Sequence, residues 1–185
     1  MRKIISLFIF LFCLSSPSFA QPTELVQISQ AKYFNIYSPQ GADLLKLVQR
    51  LNIRSEYLLL ESPSPSGQEK LQEALGEIID AIFLETSDIL HMYLYAFKGN
   101  IKICQDQKQL NAFSRKFFAQ DLRAPSFYNR QTNSIYINIR DIRPEVLAYE
   151  MAHAIVSHYY AVLPPKQVQE ILAKDVESQI RKLAR

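Results

Sequence analysis

The chain has 185 residues, of which 48% are apolar and 21% charged, with a formal net charge of +3. Arg2 and Lys3 sit in the amino-terminal stretch, and without them the balance is 19 basic against 18 acidic residues. The sequence pI of about 8.8 therefore reflects that stretch and does not argue for a nucleic-acid partner. Arg115-Lys116 and Arg181-Lys182 are isolated pairs that read as solvated surface.

The amino terminus has three parts. Arg2 and Lys3 precede an apolar run from Ile4 to Leu14, and Ser18-Phe19-Ala20 ends it with small residues at −3 and −1. This is the pattern of a secretory signal peptide over residues 1–20, with a retained anchor as the alternative. The run falls short of the roughly 20 apolar residues of a membrane span, so no stable span is expected after cleavage. Cys13 follows Leu11-Phe12, without the small residue expected before a lipidated cysteine. The expected location is exported, either periplasmic or extracellular. Cleavage would leave 165 residues, 21–185, enough for a single domain. Cys104 is the one cysteine in that part, which excludes an intramolecular disulfide. In "NIKICQD" it reads as a buried strand thiol.

In chain order, "YFNIYSP" (33–39) alternates as a strand, and "GADLLKLVQRLN" (41–52) has helical spacing. "ESPSPSGQ" (61–68) is an internal loop. A long helix follows over about 68–93. "GNIKICQD" (99–106) reads as a strand and "QKQLNAFSRKFF" (107–118) as a helix. "APSFYNRQTNSIYINIRDI" (124–142) reads as a hairpin of Ser126–Tyr128 and Ser134–Ile139. Pro144, with Glu145 beside it, opens a further helix. Leu163-Pro164-Pro165 ends it and starts the last helix, about 166–183. Helices and strands do not alternate strictly, so the fold class is α+β.

The helix after Pro144 contains "LAYEMAHAI" (147–155). Residues 149 and 153 lie one turn apart on one face. In H-E-x-x-H that spacing lets two imidazoles reach one zinc ion, with the glutamate beside the metal-bound water as general base. Here Glu150 takes the position of the base and His153 that of a ligand, while Tyr149 occupies the place of the first histidine. A phenol binds metal only once ionised, and its ordinary pKa is about 10. The alternative is that Tyr149 packs over the metal position and bonds Glu150 or His153. His158 is five residues from His153, about 140° around the helix, too far to share a metal with it. Nothing in the sequence brings His91 near.

A third ligand is expected from the last helix, whose inward stripe reads as Val168, Ile171, Leu172, Val176, Ile180 and Leu183. Asp175 lies within that stripe, and Glu177, pointing away, is admitted by spacing alone.

"NSIYINIRDIRPEVLAYEMAHAIVSHYY" (133–160) resembles the gluzincin-type H-E-x-x-H metallopeptidases. It is most similar to a group of small exported bacterial peptidase-like proteins, in which a hairpin strand leads into "VLAHEMAHAI". The resemblance covers the C-terminal half well and the N-terminal half loosely. It implies a zincin-like fold, with a small mixed sheet whose hairpin edge strand packs on the motif helix and a C-terminal helix. Active relatives use zinc. The resemblance also implies that the strand carrying Tyr136, Ile137 and Asn138 is the edge along which an extended peptide lies. Tyr149 departs from the family at a metal ligand, so the expected role is peptide or envelope-protein binding with impaired or lost catalysis. An active zinc peptidase using Tyr149 or a carboxylate is the alternative. Glu150-x-x-His153 with Asp88-x-x-His91 also admits a di-metal carboxylate protein, against which the strands argue.

Overall fold

The computed structural model describes residues 24–58 and 67–184. The signal-peptide pattern, and residues 61–66 of the internal loop, lie outside the described residues. The elements in chain order are β1 (Leu25–Gln30), β2 (Phe34–Pro39), α1 (Leu44–Leu51), α2 (Gln68–Leu90), β3 (Gly99–Cys104), α3 (Gln107–Phe118), β4 (Ser126–Asn129), β5 (Ser134–Asn138), α4 (Pro144–Tyr159) and α5 (Lys166–Leu183).

The strands form one mixed sheet in the order β1-β2-β3-β5-β4. The central three are parallel, and β1 and β4 are antiparallel flanks. The class is α+β. Alternation assigns the two faces. Phe34, Ile36, Ile101, Ile103, Ile135 and Ile137 point into the main core with α1, α2, α4 and α5. On the opposite face α3 covers Cys104, Phe127 and Tyr136 with Leu110, Phe113 and Phe117. At the start of β3, a Cβ on Gly99 would come within 3.0 Å of the Phe34 and Phe97 rings, so only glycine allows that approach.

α4 is the central helix of the helical layer. Pro144 opens it, and most of its residues are buried, including Leu147, Ala148, Met151, Ala152, Ala154 and Ile155. It packs along α5 and against α2 and β4. The stripe of α5 differs from the sequence expectation. Ala173, Val176 and Ile180 are buried, with Leu172 and Leu183 packed against the core, whereas Val168 and Ile171 face solvent. The inward face of α5 is thus centred on Ala173, Val176 and Ile180 rather than on the full apolar stripe.

The hairpin also differs in one respect. β5 lies inside the sheet, paired to β3 on one side and β4 on the other. The sheet edge is β4. Tyr136, Ile137 and Asn138 are all buried and cannot present a free edge to a peptide. Tyr136 instead stacks on Phe127 beneath α3, with centroids 4.7 Å apart.

Candidate functional site

A cleft of about 830 Å³ lies along the outer edge of β4, bounded by α4, α5 and the end of α3. Tyr149, Glu150 and His153 enter it from α4, and Glu170 and Glu177 from α5. Phe117, Phe118, Leu122 and Phe127 add apolar, mostly aromatic lining. Its size suits a ligand site.

Glu150 is buried and its carboxylate is turned toward β4. Ser126 Oγ donates to Glu150 Oε1 at 2.6 Å, and the Tyr128 backbone N–H donates to the same carboxylate. The outward edge of β4 is thereby tied to the motif helix. Burial pushes the Glu150 carboxyl up to about 7 against these two bonds, and the Glu170 charge adds to the rise.

Tyr149 is half-buried, and its hydroxyl donates to Glu170 Oε2 at 2.6 Å. Burial, this bond and the charge of Glu170 all push the phenol well above its ordinary pKa, so it stays protonated. The ring of Tyr149 meets the imidazole of His153 edge-on, with centroids 4.9 Å apart. Tyr149 therefore packs on His153, and its hydroxyl goes to Glu170 rather than to Glu150 or His153, the bonds the sequence had offered. His153 Nε2 stands 4.0 Å from Glu170 Oε1. Burial holds His153 below its ordinary pKa, with Glu170 opposing, which favours the neutral imidazole.

Glu170 is the functional candidate that spacing arguments missed. It follows His153 by 17 positions and shares a helix face with Ala173 and Glu177 at i+3 and i+7. The small Ala173 in an otherwise large-residue stripe was the available signal, because it marks the line of contact with α4. Glu177 lines the cleft and pairs with Arg181 at 2.5 Å. Asp175 is exposed and accepts a bond from Gln179 on its own helix at 2.9 Å, outside the cleft-lining residues. The expected preference for Asp175 over Glu177 is thus reversed, in line with the inward face of α5 centred on Ala173, Val176 and Ile180.

The other histidines stand apart from the cleft. The Tyr128 hydroxyl is 3.2 Å from His158 Nε2 and donates to Asn133 at 3.0 Å. His91 is the left-handed cap of α2. Asp88 accepts a bond from the Tyr57 hydroxyl, and neither Asp88 nor His91 lines the cleft. Cys104 is buried, its thiol pushed up to about 12 by burial.

A catalytic zinc ion keeps three protein ligands and one open position. The residues here do not fit that demand as arranged. The Glu150 carboxylate faces β4, His153 and Glu170 are two separate donors, and the third position holds a protonated phenol bonded to Glu170. Among the described residues no group of three or more His, Cys, Asp or Glu side chains is placed to hold a metal. Zinc bound through the Tyr149 oxygen would require the phenol to lose the proton it gives to Glu170.

No protein-family model matches the chain, and no solved structure matches it. The chain is similar to a DnaJ homolog subfamily C member 3 homolog of Dictyostelium discoideum, 25% identical over 103 residues. The match covers 54% of this chain and 20% of that protein, so it assigns this chain neither a family nor an activity. No helix among the described residues is long and apolar enough to cross a membrane.

Proposed function

We propose that the chain is an exported, zinc-metallopeptidase-like protein with a degenerate H-E-x-x-H site, which binds a peptide or a segment of an envelope protein without cleaving it. One observation carries the reading. The Tyr149 hydroxyl is bonded to Glu170, so the residue replacing a metal ligand also occupies the carboxylate best placed to be another. The zincin-like architecture is part of the proposal and rests on the order hairpin, motif helix, C-terminal helix. Export rests on the amino-terminal pattern. The peptide would lie in the cleft against β4, which among the described residues is an edge strand with one flank unpaired by any other strand.

A second reading is favoured by the position of Glu170. A carboxylate from the downstream helix, 4.0 Å from His153 Nε2, suits an active zinc site if Tyr149 moves away or ionises. Metal analysis of the purified chain beside a Tyr149→His variant separates the two. The proposal expects no bound zinc in the native chain and zinc in the variant. Zinc in the native chain that is lost in His153→Ala would overturn it. Fluorescently labelled casein, as an unfolded polypeptide probe, should be retained intact by the native chain.

A further inference from the structure

Among the described residues, the sheet face opposite α1, α2, α4 and α5 is only half covered. α3 lies over the β3–β5–β4 side and leaves much of β1 and β2 open. On β3, Ile101 and Ile103 enter the main core, so Asn100 and Lys102 point to this open face. Cross-strand register places Asn100 between Asn35 and Ser134, and Lys102 between Tyr37 and Tyr136.

The Asn100 row is ordered by its own hydrogen bonds. Asn35 Nδ2 donates to Asn100 Oδ1 at 3.4 Å, Asn100 Nδ2 to Ser134 Oγ at 3.4 Å, and Ser134 Oγ to the Thr132 carbonyl at 2.8 Å. The Lys102 row presents a cation. Lys102 Nζ donates to the Tyr136 hydroxyl at 3.3 Å and lies 5.1 Å from the centre of that ring. An ammonium has three donors, and among the described residues Lys102 forms no ion pair. A cavity of about 490 Å³ opens above these rows, within the range of small-ligand sites. Asn100 and Lys102 give it donors, Ser134 holds Asn100 in place, and Tyr37, Phe113 and Leu25 give it apolar walls. Among the described residues its one lining carboxylate, Glu24, is exposed.

We propose that this cavity is a second binding site, separate from the α4–α5 cleft, for a small organic acid. The carboxylate would sit on Lys102 Nζ beside Asn100 and Ser134, and the apolar body between Tyr37 and Phe113. Tyr136 takes one of the three ammonium donors of Lys102, and a bound carboxylate would take up the other two in charge-assisted bonds.

The test uses benzoate as the probe, with benzamide and inorganic phosphate as controls, by calorimetry on the purified chain. Benzoate should bind at least about tenfold more tightly than either control. Lys102→Met keeps the stem over Tyr136, so its thermal midpoint should stay unchanged while benzoate binding weakens by about tenfold or more. Lys102→Arg should retain binding, and so should Glu170→Gln in the cleft. The proposal is overturned if benzoate does not bind at millimolar concentration, if it binds Lys102→Met as well as the native chain, if benzamide or phosphate binds equally well, or if Glu170→Gln abolishes binding.

Discussion

The Tyr149 hydroxyl donates to Oε2 of Glu170 at 2.6 Å, joining α4 to α5 across the mouth of the cleft. Tyr149→Phe removes only that hydroxyl. The site is partly exposed, so the expected loss is about 1 kcal/mol, read as a lower urea midpoint with an unchanged slope. A variant as stable as the native chain would show that the bond adds nothing to holding α5 in place.

Glu150 gives a pH signature. Its carboxyl rises from 4.5 to about 7 on folding, so the folded chain holds that proton more tightly than the unfolded one. Stability from this group is fully present below the unfolded value and is lost as the pH rises through the folded one. The shift corresponds to about 3 kcal/mol of destabilisation once Glu150 is ionised. Glu150→Gln carries no such penalty. Relative to the native chain it should gain stability between about pH 5 and pH 8, and a constant difference across that range would refute the buried charge.

Ser126 acts on the same carboxyl in the opposite sense, because its hydroxyl bond favours the ionised form. Ser126→Ala should move the Glu150 titration further upward in a carboxyl-carbon NMR experiment. A downward movement would mean that Ser126 is not the donor.

Leu147 is fully buried on α4, one turn before Met151 in the main core. Leu147→Ala should cost about 3 kcal/mol through lost burial and the cavity left behind. Equilibrium denaturation measures this directly, and a loss below about 1 kcal/mol would indicate that the helices collapse to refill the space.

Much of this architecture could be read from residues. Pro144 marked the start of the motif helix, and "QKQLNAFSRKFF" matched α3 from end to end. β1 escaped because its alternation is broken. The register with β2 shifts between Gln27 and Ser29, and Ser29 turns its hydroxyl to the Gln72 carbonyl on α2 at 2.5 Å. A bulge with a polar inward residue removes the period-two signal. The interior place of β5 was legible in principle, since "SIYIN" is buried on both faces, as central parallel strands are. Glu150 and His153 were found by spacing, but Glu170 depends on how α5 is rotated against α4. The buried face of α5 includes Ala173, and apolar periodicity gives small residues little weight.

The placement of the cleft also bears on how the chain folds. β2, β3 and β5 are distant in sequence, so their parallel pairing must wait for long loops to close. β4, β5 and α4 are consecutive, and the hairpin is joined to the helix by Ser126 and Tyr128 meeting Glu150. We predict that this local unit forms first and that the remaining strands assemble on it. Substitutions at Tyr128 or Leu147 should then slow folding, while those in β1 should speed unfolding. The cleft would be the first part of the molecule to take shape.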